Sequence, residues 1–155
     1  MPIAAALTLG ILSQTSAPPV LLNESTSLPR GLYWRDWGAA PGIGSVVAIP
    51  QPGSGRAYLS RLGMPEEVLL IKRVAAAGPD HVCLVDGTLR LPSGRVPVRG
   101  TDRRGEVLPV WSGCRRLANG ELFLLGDTPT SFDSRYFGPV DRAAIAGVYR
   151  EGPTW

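Results

Sequence analysis

The sequence predicts a mainly β, antiparallel domain with little helix, closing as a partly open barrel or sandwich, and three observations predict it. Short apolar runs recur between clusters of Gly, Pro and Asp, the pattern of strands joined by turns. The dipeptide Asp86-Gly87 separates two such runs and fits the positive φ angles of a type I′ hairpin turn. The third observation is composition: 19 Gly and 15 Pro in 155 residues exceed the usual share without reaching unperiodic disorder, so turns are many. A chain of this length, with 44% hydrophobic and 19% charged residues, builds one domain around one sizeable core.

Taken in order, Ile3 to Leu12 (IAAALTLGIL) is apolar but only ten residues long, half of what a membrane span of about 20 residues needs. Two readings of it stand equally. It is the remnant of an export signal or membrane anchor whose start lies upstream, or it is a buried N-terminal element. Val46 to Ile49 is bounded by Gly44 and Pro50, and Val68 to Ala77 is closed by Gly78-Pro79, so both read as strands. Arg56 to Leu62 alone looks helical. Val82 to Val85 and Thr88 to Leu91 flank the hairpin turn, Pro92 to Ser112 reads as a looping excursion, and Glu121 to Leu125 and Ala143 to Arg150 resume the strands. There is no internal repeat.

Charge excludes some functions. Fifteen Arg and one Lys stand against 13 acids, a net charge of +3 spread along the chain without a block of like sign, so nothing calls for nucleic acid. One His and two Cys cannot furnish a four-ligand zinc site, and neither a metal nor a cofactor is expected.

Three segments carry candidate chemistry. Lys72, the only lysine, lies inside the apolar run LLIKRV, where a buried ammonium is costly unless it is compensated or gives up its proton. An arginine there could not act as a base, whereas a desolvated lysine reaches the neutral amine. The alternative is a strand lysine pointing into solvent. In NESTSLPRGLY, Ser25 and Ser27 stand two apart, on one side of an extended backbone, so Ser25 could serve as an oxyanion donor beside a nucleophilic Ser27. A plain Ser-rich loop also accounts for it. In GDTPTSFDSRYFGPV, directly after ELFLL, Asp133 and Arg135 can form an ion pair and Ser131 can orient a lysine amine, or the segment is a turn capped by Asp and Ser.

In this order, STSLPRGLY, IKRVAAAGPDHV and GDTPTSFDSRYFGPV resemble the motifs of the serine–lysine signal peptidases of family S26, most closely the TraF-like conjugative transfer branch. The likeness runs from Leu22 to Val148. Leu28, where general signal peptidases usually have Met, and the shorter Gly-Asp box with Thr128 favour that branch over the housekeeping enzyme.

The resemblance implies a signal-peptidase-like β domain over residues 21–155, preceded by the apolar segment 1–20. It implies Ser27 as nucleophile, Lys72 as general base, Ser25 as oxyanion donor, and Ser131, Asp133 and Arg135 as support for Lys72. It implies cleavage of an exported, membrane-tethered precursor, by resemblance a pilin subunit, on the periplasmic side of the cytoplasmic membrane, the enzyme being anchored or secreted. The family also implies transfer of the acyl group to an amine to close a ring, as an alternative to hydrolysis. Two other classes compete: a general type I signal peptidase, and a non-enzymatic periplasmic assembly module. A self-cleaving repressor would need a DNA-binding region that the first thirty residues do not provide. His81, the only histidine, is expected to face solvent. Cys83 and Cys114 are expected either to pair, as an oxidising compartment allows, or to be separate buried thiols.

Overall fold

The computed structural model describes residues 17–155, so the apolar run Ile3 to Leu12 lies outside the described residues. Among the described residues all pairing is antiparallel, in two sheets. The first strands, β1 (Val20–Asn23) and β2 (Gly31–Arg35), form a hairpin in which Asn23 faces Gly31 across the pair. Then follow β3 (Val46–Ile49), α1 (Gly53–Arg61) and β4 (Leu70–Ala77). The long C-terminal strand β11 (Gly147–Thr154) inserts between β2 and β3, while β9 (Glu121–Leu125) and the two-residue β10 (Val140–Asp141) continue the sheet beyond β4. Among the described residues the order β1-β2-β11-β3-β4-β9-β10 puts β1 and β10 at the two edges, unpaired with each other, so the sheet does not close into a barrel.

The smaller sheet has the order β7-β6-β5-β8, built from β5 (His81–Val85), β6 (Thr88–Leu91), β7 (Gly94–Pro97) and β8 (Cys114–Arg116). Asp86 at φ 48° and Gly87 at φ 70° make the β5–β6 turn, the two positive values that a type I′ turn requires. Cys83 and Cys114 face each other across β5 and β8 and are joined as a disulfide.

Several elements differ from what the sequence pattern predicts. The segment Pro92 to Ser112 is not all loop, because β7 pairs with β6; its residues are mostly exposed, so no apolar alternation announces it. Helix α1 starts at Gly53, three residues before Arg56. Gly53 and Gly55 disguise its first turn, and a Cβ on Gly55 would lie 2.8 Å from the Phe132 ring, so the helix packs there because it carries no side chain. Arg142–Ala144 is a single 3₁₀ turn, capped when the Asp141 carboxylate accepts from the Ala143 N–H, and β11 begins after it.

Burial explains the near-continuous apolar run of β4, which is paired on both sides by β3 and β9. Leu70 and Val74 join Val47 and Ile49 in the main core on one face, and Ile71 joins Val46, Ala48 and Tyr33 on the other. Lys72 lies between Leu70 and Val74 on the main-core face, opposite Val47. A third cluster, in which Ala76 and Phe123 of the large sheet pack on Val82, Leu89 and Leu91, joins the sheets.

Candidate active site

Ser27 and Lys72, 45 positions apart in sequence, meet where the β1–β2 loop folds over the centre of the large sheet. Lys72 Nζ lies 3.0 Å from Ser27 Oγ, and both residues are buried, at 4% and 9% exposure. Burial pulls the Lys72 pKa down to about 8, against a smaller upward pull from the Asp133 charge and a further downward push from Arg135. The upward pull is weak for a structural reason. Asp133 is already paired with Arg135, at 2.7 Å from Nη2 and 2.8 Å from Nε, and the pair is almost wholly buried. Lys72 therefore has no carboxylate of its own, and the neutral amine becomes accessible near neutral pH.

The Asp133–Arg135 pair shapes the segment after β9. Asp133 also accepts from the Gly126 N–H and caps the single-turn helix α2 (Ser134–Phe137) through the Arg135 N–H. Arg135 reaches back to the carbonyls of Thr128, Pro129, Ser131 and Pro97. A buried guanidinium with this many acceptors is compensated, which an unpaired one would not be. The Asp127 N–H in turn bonds the Ser27 carbonyl, so the segment fixes the backbone of the serine loop. Arg73, beside Lys72 but pointing outward, holds Asp127 in two hydrogen bonds and reaches Glu151 of β11.

Ser25 and Ser131 make contacts other than the expected ones, whereas His81 faces solvent as expected. Ser25 Oγ accepts from the Ser27 N–H at 3.3 Å, but its own proton goes to Asn23 Oδ1 at 2.8 Å, so in this state it is not free to donate to an oxyanion. Ser131 does not bond Lys72. Its Oγ is buried without a hydrogen-bond partner, against Gly126, where a Cβ would approach it to 2.1 Å. His81 is exposed on the small sheet.

Asn23 is the residue that sequence reasoning missed. It is buried, and its side-chain amide donates to the carbonyls of Ser25, Leu28 and Pro29 while its oxygen accepts from the Ser25 N–H and hydroxyl. One side chain thus closes the loop that carries Ser27. The available signal was an Asn just ahead of Ser-x-Ser, since Asn bonds local backbone readily.

Beside Ser27 and Lys72 opens a cleft of about 370 Å³, walled by Leu21, Leu59, Met64, Leu69, Ile71 and Phe132. Its polar lining is Asn23, Glu24, Ser25, Ser27 and Lys72 and the rest is apolar, the usual composition of a ligand site. Among the described residues no cluster of His, Cys, Asp and Glu could hold a metal.

The chain belongs to the signal peptidase family, peptidase S26, whose family model matches residues 6–151. It is 35% identical to a plasmid transfer protein TraF of Escherichia coli over 147 residues, covering 86% of this chain and 82% of that protein. It is 34% identical to a conjugal transfer protein TraF of Agrobacterium tumefaciens (strain 15955), covering 83% and 79%. Among solved structures, a signal peptidase I from Enterococcus faecalis V583 superposes with a TM-score of 0.42 at 23% identity, covering 71% of this chain and 97% of that one.

Proposed function

We propose that the protein is a serine endopeptidase that cuts an exported, membrane-tethered precursor, a conjugative pilin subunit, on the periplasmic side of the cytoplasmic membrane. The observation that carries the reading is the 3.0 Å contact between Ser27 Oγ and a lysine amine held near pKa 8 at the head of an apolar cleft. The two relatives named as plasmid and conjugal transfer proteins support the choice of substrate.

Neutral Lys72 accepts the Ser27 proton as Ser27 Oγ attacks the scissile carbonyl, forming a C–O bond and a tetrahedral oxyanion. Once the Ser25 hydroxyl turns away from Asn23, its proton and the Ser27 N–H that it now engages are both released to donate to the developing charge. Collapse breaks the C–N bond, and the Lys72 ammonium protonates the departing amine. Water, or the amine of another chain end, then attacks the acyl-enzyme with Lys72 again as base. Water gives a free carboxylate and an amine gives a new peptide bond.

The test is processing of a candidate precursor by purified protein. Ser27→Ala and Lys72→Ala are each expected to abolish cleavage while the fold remains intact, and Lys72→Arg is expected to fail equally because guanidinium keeps its proton. Cleavage surviving in either alanine variant would remove the mechanism.

A further inference from the structure

The outer face of the small sheet has no task in the proposed reaction, and its register gathers charge that the sequence spreads out. Arg95 of β7 stands opposite Arg90 of β6, Arg90 opposite Cys83 of β5, and Cys83 opposite Cys114 of β8. Two residues along β5, His81 stands opposite Arg116. Residues directly opposite one another share a face. Three arginines and a histidine therefore lie together, all exposed, around the disulfide. The other face is spent on the core, where Val82, Leu89 and Leu91 pack with Phe123.

The charge on the outer face is uncompensated. Its remaining positions in β5, β6 and β7 are Val85, Thr88 and Pro97, none of them charged. Elsewhere Arg61, Arg73, Arg115, Arg135 and Arg150 each pair with a carboxylate. The guanidinium groups of Arg90, Arg95 and Arg116 have no such partner among the described residues. Arg116 reaches the Pro79 carbonyl, and Asp80, the acid just ahead of β5, accepts from the Ala77 N–H instead. Like charges directly opposite each other destabilise a strand pair, so Arg90 and Arg95 work against the sheet they stand on. Beside them opens a hollow of about 370 Å³, lined by His81, Cys83, Arg90, Leu91 and Pro92.

An anion from outside would complete this face, and the surroundings select its kind. Guanidinium forks take carboxylates in paired hydrogen bonds. β7 and β8 are the edges of the sheet, so an extended segment can lie along either and turn alternate side chains onto the face. A bilayer takes exposed apolar side chains, and Leu22, Trp34 and Trp155 stand at the β1–β2–β11 end of the large sheet, whereas the small sheet joins it at β4 and β9. A nucleic-acid duplex needs positive charge continued along its length, and here the charge stops at Val85, Thr88 and Pro97. We infer that the outer face of the small sheet binds an extended acidic segment of a partner protein, its Asp or Glu side chains held by Arg90, Arg95 and Arg116. Nothing in this assignment rests on Ser27 or Lys72.

The experiment is an NMR titration of the protein with the peptide Ac-Glu-Thr-Glu-Thr-Glu-Thr-amide and its Gln-Thr analogue, repeated on an Arg90→Gln/Arg95→Gln/Arg116→Gln variant. Phosphatidylglycerol vesicles, by sedimentation, and a short DNA duplex, by fluorescence anisotropy, are the other arms. The expected result is saturable shifts at His81, Cys83 and Arg90, with affinity at least about tenfold weaker for the Gln peptide and in the triple variant. Equal affinity for the two peptides, unchanged affinity in the variant, or no saturation by about 10 mM peptide overturns the proposal. Vesicle or duplex binding at physiological salt that is tighter than peptide binding and lost in the variant assigns the face to phosphate, and overturns the protein partner. Thermal melts at low salt give a second check. The triple variant is expected to be at least as stable as wild type, because the opposed charges are gone. A less stable variant would give these arginines to the fold and overturn the inference. No readout needs turnover, so a protein that cleaved no precursor would still report on this face.

Discussion

At the scale of single residues, the site depends on what each buried polar group lacks. Lys72 lacks a counterion because Arg135 has taken Asp133, and this sets both a rate and a stability prediction. Cleavage should fall about tenfold for each pH unit below about 8 as the amine is protonated, and His81→Gln should leave that limb in place. A limb that disappears with His81 would transfer the role of base to histidine. The stability sign runs from the same shift. The folded lysine has its pKa lowered from 10.5 to about 8, so between these values the unfolded chain binds more protons and stability rises with pH. Below about 8 both states are protonated and the penalty is full, on the order of 3 kcal/mol; above the unfolded value it is gone. Lys72→Met should accordingly be more stable than wild type at pH 7, with the gap shrinking toward pH 10 in chemical denaturation. Asn23 supplies the opposite case, a buried group with every bond made. Asn23→Ala should cost about 1–3 kcal/mol and lower kcat by about tenfold or more with a smaller effect on KM, since it frees the Ser27 loop while the apolar wall of the cleft stays in place. A variant with wild-type kcat would show that the loop holds its shape without that amide.

At the scale of elements, legibility followed side-chain pattern. β3 and the β5–β6 hairpin were readable because their apolar runs end at Gly, Pro or Asp-Gly, whose backbone preferences are local. β7 and β8 were not, because their residues are largely exposed and only pairing with β6 and β5 makes them strands. The site divides the same way. Lys72 stood out as a lone charge in an apolar strand, whereas the partnerless state of Ser131 and the grip of Asn23 on the serine loop depend on how distant segments are set against each other. The small sheet also carries a prediction. The disulfide joins its edge strand β8 to β5 across 31 positions of chain that include two hairpin strands. Replacing Cys83 and Cys114 together by Ser should destabilise by about 2–4 kcal/mol, with amide exchange rising first in β8. Lys72 lies on β4 of the other sheet and Ser27 on the loop over it, so cleavage by the protein that remains folded should be retained. Equal stability of the double variant would mean that cross-strand packing alone holds β8.

At the scale of the molecule, the two sheets unfold together or apart according to what joins them. The chain passes from one to the other at Gly78, where a Cβ would lie 1.8 Å from the Ala118 carbonyl oxygen, so the crossing is tight. The apolar joint is the cluster around Phe123, which is fully buried on β9, packs with Ala76, Val82, Leu89, Leu91 and Leu117, and meets the Trp111 ring edge-on at 5.3 Å. Phe123 belongs to the strand that pairs with the lysine-bearing β4, where Ala76 faces it. Removing the ring leaves a cavity between the sheets that neither can close alone, since Ala76 on one side is already small. Phe123→Ala should therefore cost about 3–5 kcal/mol. If the joint makes the domain one cooperative unit, urea unfolding of wild type followed by Trp fluorescence and by far-ultraviolet circular dichroism should give coincident curves. In the variant the midpoint should drop, and the two probes should separate as the small sheet loosens ahead of the large one. Coincident curves in the variant at an unchanged midpoint would locate the coupling elsewhere, in the backbone crossing at Gly78 and not in the apolar joint.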